Sequence, residues 1–356
     1  MTKCKGIKFI ISLQINKVVV GKTLVLELNC YYKIKGNKIM YKYVFGPVPS
    51  RRLGVSLGVD LVTHKTCSLD CVYCECGKTT ILTAERKEYV PVNEVKKELE
   101  DYFKKNSKPD FVTFSGSGEP CLNIKIGEIL DFIKANFNVK VCVLTNGTLF
   151  ENKELRKDLL NADLVMPSLD SADKNSFLKI NRPVKEIKVE NYIKGLSDFK
   201  KEFKNRLELE IFILPDFNDS KEDILKLKSA VKQINPDLVL LNTLDRPGAI
   251  KDLRPASEAE LLKFKKELGF ENTQIISKSI QRKNITSYRK DREEAIYGMI
   301  FRRPCTIDDL TEILGLHRND IGKYLDVLVS QGQVEVEELE RGVFYKIKKT
   351  NEISVN

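Results

Sequence analysis

Val55-Ser56-Leu57-Gly58-Val59-Asp60-Leu61-Val62 is followed within a few residues by Cys67-Ser68-Leu69-Asp70-Cys71-Val72-Tyr73-Cys74. The first stretch reads as a strand, and the second as a short loop carrying three thiols spaced C-x3-C-x2-C. Three thiolates in one loop can hold three irons of a cubane cluster. Cluster binding normally takes four cysteines, so a fourth iron without a protein ligand would be open to another group. A zinc site is the alternative, but structural zinc is almost always closed by four ligands. The nearby candidates are Cys76, too close to Cys74 to chelate easily beside it, and His64, which has no partner at finger spacing. A disulfide pair is disfavoured by the odd total of nine cysteines and by the lack of an export signal.

Outward from this loop the chain alternates helical and extended patterns. Amphipathic spacing predicts helices over 92–103, 124–137, 153–160, 184–203 and 220–234, and short apolar runs predict strands over 111–114, 139–144, 164–169, 207–214 and 238–241. With 55–62 as the first strand these make six β/α units, so a parallel sheet with helices packed outside it is expected. A complete eight-unit barrel needs roughly 250 residues, so the fold class is α/β, a partial (βα)6 TIM-like barrel. In such barrels functional residues gather at the carboxyl ends of strands. The distinctive residues lie there: Ser115-Gly116-Ser117-Gly118-Glu119-Pro120 after the second strand, Thr145-Asn146-Gly147 after the third, and Pro167-Ser168-Leu169-Asp170-Ser171 on the fourth. Strand alternation puts Ser168 and Asp170 on one side, and Asp170 could instead cap the following helix. Strand five runs into Pro215-Asp216-Phe217-Asn218-Asp219, and strand six ends at Asn242-Thr243-Leu244-Asp245-Arg246-Pro247-Gly248.

The cysteine spacing with an aromatic before its last thiol, the Gly-Ser-Gly-Glu-Pro turn and the strand-four motif, in this order, resemble the radical S-adenosylmethionine (radical SAM) superfamily. The resemblance covers about residues 43–275. Within the superfamily, the Gly-Pro-Val-Pro-Ser-Arg-Arg-Leu-Gly lead at 46–54 and the Asn-Thr-Leu-Asp-Arg-Pro-Gly stretch at 242–248 look like a branch distantly similar to the enzymes that build the tricyclic wybutosine base of tRNA. It implies a [4Fe-4S] cluster on Cys67, Cys71 and Cys74, whose open iron takes the amino and carboxylate groups of SAM. It also implies SAM contacts from Tyr73, Gly116, Ser117, Gly118, Glu119, Asn146, Ser168 and Asp170, with Ser117 standing where the family has a glycine. The implied reaction is one-electron cleavage of SAM to methionine and a 5′-deoxyadenosyl radical that abstracts hydrogen. A flavodoxin or ferredoxin would supply the electron, and tRNA or another RNA is the first expectation for substrate, a protein or small metabolite the alternative. No residue is assigned a catalytic role. Substrate contacts are expected from Arg51 and Arg52, in the proline-stiffened loop 46–54, and from Asn242, Asp245 and Arg246, the last two of which could pair with each other. Cys4, Cys30, Cys76, Cys121, Cys142 and Cys305 show no second cluster spacing and read as incidental, buried thiols.

Charge narrows the partners less than its total suggests. The net charge is +10, but residues 1–39 hold eight Lys and one Glu, leaving +3 for the rest. The apolar runs of that first segment are too short for a signal core or a membrane span, and a cytoplasmic protein is expected. Met40-Tyr41-Lys42-Tyr43-Val44-Phe45 reads as a protein start, so residues 1–39 are expected to be an untranslated extension, the alternative being a β-rich basic arm. The expected domains are 1–39, the barrel 40–275, a basic linker 276–292 with Arg282, Lys283, Tyr288, Arg289 and Lys290, and a module 293–350. Ser257-x-x-Glu260 reads as a capping box opening a helix to Leu268. In the module, helices over 293–302, 307–314 and 318–331 and two strands around Arg341-Gly342 give the layout of a winged helix-turn-helix. Its reading helix balances Arg318 and Lys323 with Asp320 and Asp326, and its wing carries Glu335, Glu337, Glu338 and Glu340. Phosphate contacts dominate nucleic-acid affinity, so this surface suits protein contact or domain packing better than duplex DNA. A metal- or redox-sensing winged-helix regulator is the alternative function.

Overall fold

The computed structural model describes residues 10–20, 23–33, 41–50, 52–63, 65–276 and 292–348. Arg51, His64, Met40, Cys4 and the five basic linker residues lie outside this set. The chain divides into two compact units, Met1–Lys42 and Tyr43–Asn356. In the first, β1 (Ile10–Val20) and β2 (Thr23–Lys33) pair antiparallel.

The second unit is built on an eight-stranded sheet. Its strands are β3 (Val44–Ser50), β4 (Gly54–Val59), β7 (Phe111–Phe114), β8 (Lys140–Thr145), β9 (Leu164–Pro167), β10 (Arg206–Ile213), β11 (Leu238–Thr243) and β12 (Thr273–Ile275). Two further short strands, β5 (Thr66–Cys67) and β6 (Ile81–Leu82), pair with each other in the thiol loop. From β4 to β12 the neighbours follow chain order and every pairing is parallel. The connecting helices are α1 (Val92–Lys105), α2 (Ile126–Asn136), α3 (Lys153–Asp158), α4 (Lys174–Ile180), α5 (Val189–Glu202), α6 (Lys221–Ile234) and α7 (Glu258–Leu268). Their apolar stripes supply the burial, as with Val95 and Leu99 of α1 and Leu227 and Val231 of α6. One sheet face packs Cys142, Leu164, Met166, Leu238 and Leu240 with Leu53. The alternate positions, such as Val143, Val165, Leu209, Ile211 and Leu241, are buried on the other face.

Strands β3 and β12 and the short helix α4 differ from the sequence expectation. Residues 46–54 are not a plain loop, because Val44–Ser50 runs as an antiparallel edge strand with an irregularity between Phe45 and Val48. Pro47 falls in that irregularity, at an edge where a missing ladder donor is tolerated. A seventh parallel strand, β12, closes the series. The capping box at Ser257 and Glu260 opens α7 as expected, and Gly269 ends it in the left-handed conformation.

Beyond it, α8 (Arg292–Arg302), α9 (Ile307–Leu314) and α10 (Arg318–Ser330) stand with a three-stranded sheet of β13 (Cys305–Thr306), β15 (Gly342–Ile347) and β14 (Val334–Leu339). Their core includes Ile296, Ile300, Leu310, Ile313, Ile321, Leu325 and Val334, and Val48 of β3 packs against it. Arg302 also stacks over the Phe45 ring at 3.9 Å and donates to Asp60, just after β4. Arg246, just after β11, donates to Pro304 and Asp309. The module thus touches both the first strands of the parallel series and one near its end. No helix among the described residues is long and apolar enough to cross a membrane.

Candidate active site

The thiol loop is anchored along its length. Thr80 and Ile81 donate to the Lys65 carbonyl and Thr83 donates to that of Cys67. Asp70 and Val72 donate to the backbone at the end of α4, through Asn181 and Ile180, and Ala249 donates back to Val72. This mooring leaves Cys67, Cys71 and Cys74 free and half-buried. Each of the three thiols then meets one side-chain N–H. Lys65 Nζ lies 2.9 Å from Cys74 Sγ, Asn181 Nδ2 3.4 Å from Cys71 Sγ and Asn146 Nδ2 3.5 Å from Cys67 Sγ.

Their electrostatics differ accordingly. Burial pushes the Cys67 thiol up to about 11, with the Lys65 charge pulling the other way. Burial and the neighbouring Asp170 also push Cys71 up. Cys74 is held down at about 5, first by a hydrogen bond from Cys76 and then, against burial, by Lys65. Cys76 is therefore not the incidental, buried thiol expected from spacing. It is half-buried beside Cys74, with its Sγ 3.7 Å from the Gly116 carbonyl. Cys121, Cys142 and Cys305 are buried as expected.

The Gly-Ser-Gly-Glu-Pro turn packs against this loop. A β-carbon on Gly118 would stand 1.9 Å from the Thr66 carbonyl oxygen, so the glycine is required by the close approach of the chain's own backbone. Ser117 donates through N and Oγ to Asp60 Oδ2, at 3.0 and 2.8 Å. Glu119 is buried and accepts from Cys121 N, Thr145 Oγ1 and Asn146 N. Burial raises its carboxyl against these donors. The effect is to brace the end of β8, so that Asn146 reaches both Cys67 and Ser68 Oγ. Tyr192 of α5 adds a second brace, its hydroxyl donating to the carbonyls of Asn146 and Ser168.

Asp170 is 2% exposed. It accepts from Tyr73 OH, Asn181 Nδ2 and Phe212 N, and burial, opposed by those bonds, raises it to about 6. The Tyr73 ring stacks on Phe212 with centroids 3.9 Å apart. Helix α4 has Asp173 as its N-cap, which frees Asp170 from the capping role. Asn181 is also 2% exposed, and its Oδ1 has no hydrogen-bond partner among the described residues. A buried acceptor left unpaired costs about 1–3 kcal/mol, so it marks a position where a donor belongs.

The expected substrate residues fall into two other groups. Arg52 and Asn242 both donate to Glu210 of β10. Asp245 and Arg246 do not pair with each other. Arg246, 3% exposed, joins Asp309 at 2.7 Å and Glu75 at 3.5 Å, and Asp245 meets Arg341. The reading of Arg246 as a substrate contact gives way to a structural tie, because its guanidinium is spent inside the protein. Arg51 lies outside the described residues. Clefts of 440 and 470 Å³ lie elsewhere, the larger lined by Lys200, Asp237 and Glu271 and the smaller by Lys108, Asp110 and Asp163. These are at the amino ends of strands, away from the thiols.

The residues present fit the implied cofactors. Three thiols with one donor each, a buried lysine and an orphaned acceptor on the same side chain that donates to Cys71 suit a thiolate-held cluster and a polar ligand beside it. Among the described residues no three His, Cys, Asp or Glu groups converge on a single ion, and thiolates on separate irons of one cluster need no such convergence. Sequence reasoning missed Lys65, Asn181, Tyr192 and Glu210. Lys65 was legible as a cation two places before Cys67. Asn181 was not, since only α4 brings it back to Cys71.

The radical SAM superfamily model matches residues 61–227. A UPF0026 protein of Methanocaldococcus jannaschii is 32% identical over 85% of this chain and 94% of its own length. A protein of Brachyspira hyodysenteriae described as GTPase Obg is 36% identical over 86% of this chain, which spans 45% of that relative. A probable dual-specificity RNA methyltransferase of Fervidobacterium nodosum is 29% identical over 55% of this chain and 56% of its own. The chain belongs to the UPF0026 family within the radical SAM superfamily, and is an enzyme whose cofactors are a [4Fe-4S] cluster and S-adenosylmethionine.

Proposed function

We propose that the chain reductively cleaves S-adenosylmethionine in order to abstract hydrogen from an RNA. The observation that carries the first part is the meeting of three donor-supported thiols with the orphaned Oδ1 of Asn181. When bound, a reduced cluster supplies the electron that splits SAM into methionine and a 5′-deoxyadenosyl radical. Cys67, Cys71 and Cys74 would hold three of its irons. Asn181 Oδ1 would accept from a polar group of SAM, with Asp170 and Ser168 on the same side and the Tyr73–Phe212 stack beside Asp170. Glu119 and Ser117 act on SAM through the loops they brace. The sheet serves as a partial barrel with this site at its carboxyl end.

The test is anaerobic reconstitution with iron and sulfide, then reduction with SAM. Wild type is expected to release 5′-deoxyadenosine and Cys71→Ala none. Equal release by both would refute the assignment.

The RNA half rests on the likeness to the RNA methyltransferase relative. Added RNA from the native source is expected to raise 5′-deoxyadenosine release and to yield a nucleoside of altered mass. A rise with protein extract alone would favour a protein substrate. The order of α8, α9, α10 and the β14–β15 hairpin supports a winged helix-turn-helix reading of the module. Its exposed wing residues Glu335, Glu338 and Glu340 suit packing or protein contact. Cysteines that are unpaired among the described residues suit a cytoplasmic setting, where a flavodoxin or ferredoxin would deliver the electron.

A further inference from the structure

Lys65 is 3% exposed, and no carboxylate lies within ion-pair distance of it among the described residues. Its charged neighbours are thiols: Cys74 at hydrogen-bond distance, with Cys67 and Cys76 nearby. A buried ammonium is strongly unfavourable without a counter-charge, and the partner this one has is the Cys74 sulfur 2.9 Å away, so the lysine is placed for anionic sulfur in the loop. The other two thiols repeat the pattern with neutral donors. Asn146 comes from the end of β8 and Asn181 from the end of α4, two elements far apart in sequence that each end on a different sulfur. Both amides are fixed by second contacts, Asn146 to Ser68 and Asn181 to Asp170. Three elements therefore deliver one N–H to each of three thiols.

We propose that Lys65, Asn146 and Asn181 are positioning residues that set the reduction potential of the cluster, each through a different ligand sulfur, with Lys65 supplying the dominant charge. This rests on the cluster assignment above. Reduction adds one electron and no proton to the cluster, taken from a one-electron carrier that is oxidised in turn. The added negative charge is shared with the sulfurs. N–H donors and a cation bind the more negative state more strongly and raise the potential. Charge-assisted bonds are roughly twice as strong as neutral ones, so Lys65 contributes more than either amide.

The experiment compares wild type, Lys65→Met, Lys65→Arg, Asn146→Leu and Asn181→Leu as full-length, anaerobically reconstituted protein without SAM. Iron, sulfide and visible absorption are measured first. The reduced-cluster paramagnetic signal is then followed in a mediated potential titration. At the wild-type midpoint, the reduced-to-oxidised ratio in Lys65→Met is expected to fall about tenfold, a negative shift of about 59 mV for a one-electron couple. The two Asn variants are expected to shift less in the same direction, and Lys65→Arg to stay near wild type. Loaded Lys65→Met and Asn181→Leu titrating at the wild-type midpoint would overturn the proposal while leaving the cluster assignment intact. A wild type that takes up no cluster would remove that assignment instead. If Lys65→Met does not load, Lys65→Gln, which keeps a donor without charge, decides with Asn181→Leu: negative midpoints support the proposal and unshifted ones overturn it.

Discussion

Single atoms govern much of this site. Asp170 carries a carboxyl raised from 3.8 to about 6 by burial. A raised acid binds protons more tightly folded than unfolded, so its contribution is fully present below about pH 4 and is lost as pH rises through 6. The loss is on the order of 3 kcal/mol for a shift of this size. Asp170→Asn is expected to flatten the pH dependence of apoprotein stability between pH 4 and 6, read from urea midpoints. An unchanged slope would put the titration elsewhere. Gly118 is as sharply determined. With Thr66 O 1.9 Å from any added β-carbon, Gly118→Ala is expected to destabilise the protein by about 1–3 kcal/mol. It should also release iron from the reconstituted protein, because the displaced Thr66 adjoins Cys67. A variant with wild-type melting and iron retention would contradict the packing described.

Among the elements, two capping boxes make a natural comparison. Ser257 and Glu260 open α7 in solvent, whereas Thr306 and Asp309 open α9 in the interior. Glu260→Ala is expected to cost about 1 kcal/mol. Asp309→Ala leaves Arg246 buried without its nearest partner and is expected to cost about 3–5 kcal/mol. Denaturant titrations giving equal losses would show that Asp309 acts as a cap alone. The same contrast explains what the sequence could disclose. The α7 box, the Cys67–Cys74 spacing and the strands at Phe111–Phe114 and Leu164–Pro167 are local patterns and were legible. Strand β3 was hidden by Pro47 and Pro49, β12 by its three residues, and α4 by its short length. Asn181 beside Cys71 and Arg246 beside Asp309 are contacts across the fold, and no spacing along the chain encodes them.

At the scale of the whole molecule, the helical module is bound to the catalytic sheet at two separated places. Arg302 reaches Asp60 beside the first parallel strand, and Asp309 reaches Arg246 after the sixth. Asp60 in turn holds Ser117, and Arg246 holds Glu75, the residue between Cys74 and Cys76. Glu75 therefore has its cation fixed by a carboxylate that leaves the ribosome long after the thiols do. The order of synthesis follows from this: a nascent chain that has just exposed its three cysteines still lacks the groups that hold their loop still. The loop that carries the three thiols thus reaches its full set of contacts only once the chain extends through Asp309.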